Sequence, residues 1–146
     1  EEGIVPGGAV ALLAISQKMK PELLKGVVLN KDEKQGFNIV KKAAEQPFKK
    51  LLENAGLDAS QLIAKGREAS LNGMGFDVLK TESVDSAKPI DMVKAGIIDP
   101  LKVVRTAVQN AVSVAAMILT TEALVTDIPE KKPEAPAMPG GMDMGY

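Results

Sequence analysis

The chain has 146 residues, with 18 lysines and arginines against 19 aspartates and glutamates, and it contains no cysteine, histidine or tryptophan. The missing cysteines exclude disulfides, thiol nucleophiles and iron–sulfur clusters, and the missing histidines exclude the usual metal ligand and general base. A formal net charge of −1 and an aromatic content of 3% argue against a nucleic-acid partner bound through a basic field or stacked bases.

The chain begins Glu1-Glu2-Gly3-Ile4, without an initiator methionine, a basic region or an apolar leader. This start predicts no signal peptide, and it favours a fragment of a longer protein over a processed terminus. The longest apolar run, at residues 111–119, is too short to span a bilayer. We therefore expect no membrane partner.

The glycine pair Gly7-Gly8 opens the first apolar segment, over residues 9–19. Apolar residues at helical spacing predict a helix here, which Pro21 closes. Because glycine has no Cβ atom, a ligand can approach the backbone closely, and the amides at a helix start favour anions. The pair is a candidate ligand contact, although by itself it favours the plainer alternative of a tight turn.

Helical periodicity returns over residues 37–55, where Pro47 predicts a kink or a new first turn. A short helix over residues 58–65 follows, and Gly66 is the predicted end of it. The N-cap candidates for this helix are Asp58 and Ser60.

Residues 76–78 alternate apolar and polar side chains, which predicts a short strand. The polar residues 80–89 are typical of a hairpin loop, and residues 90–93 are the predicted returning strand. Asp77 at the end of the first strand is a candidate polar contact, although an exposed aspartate is ordinary.

Asp99-Pro100 predicts the start of a long helix that ends near Thr121. Asp99 is either a plain N-cap or a carboxylate that accepts a hydrogen bond from a ligand hydroxyl. Since residues 111–119 are apolar almost all round, the helix is predicted to be central, or to be covered by missing sequence. Residues 124–128 predict a terminal strand, and residues 129–146 form a flexible tail rich in Pro, Gly and Met.

The sequence contains no Walker A loop, because no Gly-Lys-Ser/Thr follows a glycine-rich loop. It also lacks a Gly-x-Gly-x-x-Gly fingerprint, because Val78 stands where the third glycine after Gly73 and Gly75 would be. No tight spacing of acidic residues favours a metal site. We therefore predict no catalytic residue and no metal ligand in this chain.

Several stretches resemble the group I chaperonins, the GroEL-like proteins, in the order found in that family. They are EEGIVPGGAVAL at residues 1–12, GFD at 75–77, AGIIDPLKVVRTA at 95–107 and TTEALVTDIP at 120–129. The sequence MPGGM at residues 138–142 resembles a shortened form of the family's Gly-Gly-Met tail. The resemblance covers essentially the whole chain.

The resemblance implies a mainly α fold, the C-terminal portion of a chaperonin equatorial helical domain with a small β-hairpin and a terminal strand. Residues 1–128 would be that part of the ATP-binding, ring-forming domain, and residues 129–146 its tail. The glycine pair and Asp99 would contact the nucleotide, with Asp99 accepting from the ribose, while the segment at 77–79 would line the adenine side. The implied nucleotide-binding residues are Gly7, Gly8, Asp77, Val78, Leu79 and Asp99.

The sequence departs from the family pattern in four places. Val78 and Leu79 are bulkier than the usual alanines and could crowd an adenine, Ala9 replaces a common third glycine, and the loop at 80–89 is longer than usual. The family's Asp-Gly-Thr-Thr-Thr segment, its catalytic aspartate and its apical domain are absent from this chain. We therefore expect little or no ATPase activity from the chain alone.

The implied function is that of a fragment of an ATP-dependent protein-folding chaperonin. The resemblance implies ATP or ADP with Mg in the full-length protein, and leaves open whether this fragment binds any cofactor. The implied partners are other subunits in a homo-oligomeric ring, with unfolded proteins and a co-chaperonin bound only by the full-length protein. The implied location is the bacterial cytoplasm or an organellar matrix. The alternative is a purely structural helical interaction or oligomerisation module without nucleotide binding.

Overall fold

The computed structural model describes residues 2–24 and 26–127, so the predicted tail at 129–146 lies outside the described residues. The described part is mainly helical with small two-stranded sheets, which confirms the predicted fold class. The helices are α1 (Val10–Lys18), α2 (Lys31–Ala43), α3 (Gln46–Asn54), α4 (Ala59–Ser70) and α5 (Leu101–Thr120). The strands are β1 (Ile4–Pro6), β2 (Met74–Gly75), β3 (Ile90–Asp91) and β4 (Ile98–Pro100), and a 3₁₀ turn spans Pro21–Leu23.

Helix α2 begins at Lys31, earlier than the apolar periodicity predicts, because a capping box starts it. The Asn30 side chain accepts from the backbone amides of Asp32 and Glu33, and the Glu33 carboxylate accepts from the Asn30 amide. The new first turn predicted at Pro47 is confirmed, since α3 carries this proline in its first turn.

The predicted end of α4 at Gly66 is wrong, although its predicted N-cap at Asp58 is confirmed. The helix continues through Gly66 to Ser70. A Cβ atom at Gly66 would lie 2.7 Å from two ring carbons of Phe48 on α3. Glycine therefore permits close packing of α3 on α4 at this point and does not end the helix.

The core lies where α1, α3 and α4 pack together with the segments that flank β2 and β3. The rings of Phe48 and Phe76 meet in it at a centroid distance of 6.1 Å and an interplanar angle of 42°. The largest fully buried side chains are Phe48, Leu13, Leu52, Leu62, Met92, Val10 and Ser16.

The carboxylate of Glu45, in the turn between α2 and α3, is buried but fully partnered. Arg67 on α4 donates two hydrogen bonds to it, and the amide of Gln17 on α1 donates a third at 3.1 Å. Because these partners come from α1 and α4, Glu45 connects three parts of the helical body.

The strands form two antiparallel ribbons, one of β1 with β4 and one of β2 with β3. The predicted hairpin is confirmed, but its first strand is Met74–Gly75 and not residues 76–78. Asp77 starts a turn instead, because its carbonyl accepts from the Lys80 amide at 3.0 Å. The terminal strand predicted at 124–128 is absent from residues 124–127, where Leu124 and Val125 are exposed and no strand lies alongside; Ile128 lies outside the described residues.

The first predicted alternative for α5, a central helix, is wrong, whereas its cover by sequence outside this chain stays a prediction. Every residue of it except Val104 is exposed, and its apolar side chains form one wall of a groove against α1 and the α2–α3 turn. The helix has 20 residues, and an 18-residue window within it has a mean hydropathy of 1.4, so by length and composition it could cross a bilayer. The apolar run at residues 111–119 is shorter than this helix, so the run by itself does not reveal this property.

Candidate functional site

The ribbon of β1 and β4 brings the glycine pair next to the segment that carries Asp99. Val5 pairs with Asp99 in the antiparallel register, and the Gly7 amide donates to the Ile97 carbonyl at 2.9 Å. A Cβ atom at Gly7 would lie 3.0 Å from backbone atoms of Ile97 and Ile98. Because Gly7 has no Cβ atom, its backbone can lie this close to the backbone of Ile97 and Ile98.

The second glycine shapes the start of α1. Gly8 has φ +64° and Ala9 has φ +61°, so the chain passes through two left-handed residues before the helix begins at Val10. The first turn of α1 has no acidic residue and no side-chain cap. Since the first amides of a helix have no carbonyl partner within it, this end of α1 can receive an anion or a polar ligand.

Asp99 lies in β4 and does not cap α5, whose N-cap is Pro100 without a side-chain hydrogen bond. The alternative of a plain N-cap at Asp99 is therefore wrong. The residue is half-buried, and within residues 2–24 and 26–127 its carboxylate has no hydrogen-bond or ion-pair partner. A carboxylate in this state can accept from a ligand hydroxyl.

The segment at 77–79 is a turn directly after β2. The Asp77 carboxylate accepts from the Leu79 amide at 3.2 Å and pairs with the Lys80 ammonium at 3.1 Å. Val78 packs against the core, whereas Leu79 is 94% exposed. The two side chains that depart from the family pattern thus lie in different surroundings, one against the core and one in solvent.

The buried side chain of Met92 connects the two glycine segments, a role that sequence reasoning missed. The Cε atom of Met92 lies close to Gly8, and its Sδ and Cγ atoms lie close to Gly75. A buried methionine in an apolar cluster is ordinary in a sequence, so only the fold identifies this contact. The pairing of β1 with β4 was also missed, because three-residue strands far apart in the chain give no periodic signal.

Two charged pairs lie beside the ribbons. The Lys94 amide and ammonium lower the pKa of Asp91, and the Arg105 guanidinium, which donates at 2.6 Å, lowers the pKa of Glu2. The second pair ties the start of α5 to the residues before β1. Within the described residues no group of three or more acidic side chains is placed to hold a metal ion.

Two cavities lie away from these residues. One, of about 470 Å³, lies between the end of α4 and the hairpin and includes Lys65, Glu68 and Asn72 in its lining. The other, of about 450 Å³, is the apolar groove, lined by Leu12, Ile15, Met19, Val40, Ala43, Ala44, Pro47, Ala107, Val108, Ala111 and Val112. Neither cavity is lined by a residue of the implied nucleotide site.

Residues 1–129 match the model of the TCP-1/cpn60 chaperonin family. Among solved structures, the chain is similar to the open state monomer of a group II chaperonin from Methanococcoides burtonii, with a TM-score of 0.67 and 24% sequence identity. The match covers 81% of this chain and 28% of that one, so the chain spans much less than the length of the similar protein. At this identity the similarity shows the fold.

Proposed function

Because this chain belongs to the TCP-1/cpn60 chaperonin family, we propose that it supplies part of the nucleotide site of an ATP-dependent protein-folding chaperonin of group I. The motifs quoted from the sequence support group I, and the solved structure that it resembles is a group II protein. In this proposal the chain works as part of a ring of like subunits in the cytoplasm or an organellar matrix. Unfolded proteins and the co-chaperonin bind elsewhere in the full-length subunit.

The observation that carries the proposal is the carboxylate of Asp99, which has no partner among the described residues and lies on the ribbon whose first strand leads directly into the glycine pair. A carboxylate that has no partner among the described residues, on a ribbon that leads into an uncapped helix start, fits the hydroxyl groups of a ribose and the negative charge of a nucleotide. Gly7 and Gly8 leave the backbone bare, so a ligand can approach it closely. The residues present therefore fit a nucleoside diphosphate or triphosphate.

The roles of this chain's residues are binding and orientation. Asp99 accepts a hydrogen bond from a ribose hydroxyl, and Gly8 lies against the nucleotide at the start of α1. The turn Asp77-Val78-Leu79 flanks the adenine. Orienting a substrate in this way lowers the entropic part of a reaction barrier. The described residues hold no cluster for Mg²⁺, and we expect little or no ATP hydrolysis from this chain.

Calorimetric titration of the chain with ADP tests the proposal. We expect binding that Asp99→Ala weakens about tenfold or more, since a hydrogen bond to a charged acceptor contributes about 1.5–3 kcal/mol. Asp85→Ala is the matched control, because Asp85 is an exposed aspartate in the loop at 80–89. Absence of heat with millimolar ADP, or equal affinity of the Asp99→Ala variant, would refute the proposal. Robust Mg-dependent turnover abolished by Asp99→Ala would refute the expected lack of ATPase.

The second candidate function is a helical oligomerisation module, and the exposure of α5 favours it. Val112, Met117 and Ile118 are 50–60% exposed on this helix. Apolar surface of this extent is typical of protein interfaces. The helix also carries Gln109 and Asn110 near its middle, and polar side chains there favour a protein partner over lipid. We propose a second copy of this chain as the occupant, since the stretch from Thr106 to Thr120 has no charge that would oppose a like pair.

Sedimentation equilibrium distinguishes this candidate. We expect the wild-type chain to dimerise or assemble further, and Val112→Glu to make it monomeric. Ile39→Glu is the control, because Ile39 is a similarly exposed apolar residue on α2 that does not line the groove. A wild-type chain that is monomeric at high micromolar concentration, or equal effects of both substitutions, would contradict self-association through α5.

A further inference from the structure

The side chain of Met92 fills the space between the two glycine segments of the candidate site. A Cβ atom at Gly8 would lie 2.9 Å from Met92 Cε, and one at Gly75 would lie 3.1 Å from Sδ and 3.2 Å from Cγ. Met92 is only 1% exposed, so its side chain is buried between these groups. Val10 Cγ2, on the first residue of α1, lies closer still to the place of a Gly75 Cβ atom. Met92 and Val10 together therefore separate the start of α1 from the end of β2.

The backbone of Met92 joins the same two segments. Its amide donates to the Gly73 carbonyl at 3.4 Å, and its carbonyl accepts from the Ile97 amide at 2.9 Å. The Ile97 carbonyl in turn accepts from the Gly7 amide at 2.9 Å. These three hydrogen bonds form a continuous series from the turn before β2 to the glycine pair. Main chain and side chain thus connect the same two parts of the molecule.

We propose that Met92 is a positioning residue of the nucleotide site, one that contacts both glycine segments and, together with Val10, sets the spacing between the glycine pair and the Asp77 turn. The inference rests on the proposed nucleotide function. An unbranched thioether suits this place, because its terminal carbon lies against one segment while its sulfur lies against the other. Leucine, which has a similar volume but branches at Cγ, cannot reproduce both contacts.

The test compares Met92→Leu with the wild-type chain, and uses Leu62→Ala as the control. Leu62 is fully buried in the same core cluster, on α4, and its atoms are not the nearest to Gly8 or Gly75. Met92→Leu conserves volume, so the variant is expected to fold. Two quantities are measured: the amide hydrogen-exchange rate of Gly7 relative to that of Leu52 in α3, and the dissociation constant for ADP.

We expect Met92→Leu to raise the relative exchange rate of Gly7 about tenfold and to weaken ADP binding about three- to tenfold. Leu62→Ala, which costs more global stability, should leave the relative rate and the ADP affinity of the folded chain unchanged. Unchanged exchange and affinity in Met92→Leu, or equal changes in both variants, would overturn the role of Met92. Failure of the wild-type chain to bind ADP would overturn the proposed function, whereas the exchange rates would still decide whether Met92 helps to set the spacing.

Discussion

Arg67 holds the buried carboxylate of Glu45 with two hydrogen bonds, Nε to Oε1 at 2.9 Å and Nη2 to Oε2 at 2.7 Å. The side chain of Glu45 is 6% exposed and that of Arg67 is 42% exposed. The pair joins α4 to the turn between α2 and α3. Because a planar guanidinium matches both carboxylate oxygens, Arg67 satisfies a charge that could not remain buried alone.

Arg67→Ala is therefore expected to lower the free energy of unfolding by about 1–3 kcal/mol, since it removes hydrogen bonds to a buried charged group. The half-exposed arginine keeps the loss within this range and below that of a fully buried pair. Urea denaturation measures the change. Lys50→Ala is the control, because the Lys50–Glu53 pair is exposed on both sides and should contribute about 0–1 kcal/mol. Equal losses in the two variants would contradict a structural role for the Glu45–Arg67 pair.

The stabilisation by this pair should depend on pH. The hydrogen bonds from Arg67 lower the pKa of Glu45 below its ordinary value of 4.5. A group whose pKa is lowered on folding stabilises the fold above its unfolded pKa, and this contribution disappears as pH falls through the folded pKa. The difference in unfolding free energy between wild type and Arg67→Ala should thus be full near neutral pH and shrink below pH 4.5. The control is Leu62→Ala, whose difference from wild type in unfolding free energy should not change with pH. If the difference between wild type and Arg67→Ala is equally independent of pH, Arg67 does not lower the pKa of Glu45.

Two helical glycines should respond to alanine in opposite directions. At Gly36 in α2 a Cβ atom would meet open space, so Gly36→Ala should stabilise the chain by about 0.5–1 kcal/mol through backbone entropy. At Gly66 in α4 the Cβ would lie 2.7 Å from the buried Phe48 ring, so Gly66→Ala should cost about 1–3 kcal/mol. Thermal unfolding of both variants checks the signs. A stabilising Gly66→Ala would show that α3 does not pack on α4 at this point.

Ala9 should be a strained residue that glycine relieves. Its φ of +61° belongs to the left-handed region, where a Cβ atom costs about 1–2 kcal/mol. Ala9→Gly is accordingly expected to stabilise the chain by about 1 kcal/mol, whereas Ala14→Gly in the interior of α1 should destabilise it by about as much. Destabilisation by both substitutions would contradict the left-handed start of α1.

Much of the helical body could be predicted from the sequence, because caps and prolines act locally. Asp58 and Pro47 mark helix starts through their own backbone and side-chain chemistry, and both predictions are confirmed. The predicted helix end at Gly66 is wrong for a physical reason. In the sequence, a glycine that allows a neighbouring ring to pack closely looks the same as a glycine that ends a helix. The capping box at Asn30 could have been found from its Glu33 partner.

The candidate site was predictable by residue type but not by arrangement. Gly7, Gly8 and Asp99 were singled out from their local chemistry and from the family resemblance. Their meeting on one ribbon depends on the pairing of Val5 with Asp99, a contact between residues far apart in the chain. For helix α5 the reverse holds. Its apolar composition predicts that the helix is buried, but it does not predict whether this chain or another one buries it.

The most direct test of the account is a titration of the ¹⁵N-labelled chain with ADP, followed by the backbone amide shifts. If the glycine pair, Asp99 and the Asp77 turn form one site, the amides of Gly7, Gly8, Asp99 and residues 77–79 should shift together with a single dissociation constant. Amides on the exposed face of α2, such as that of Lys34, should not move. The absence of shifts at millimolar ADP, or shifts confined to the apolar groove, would contradict the assignment of a nucleotide site to this chain.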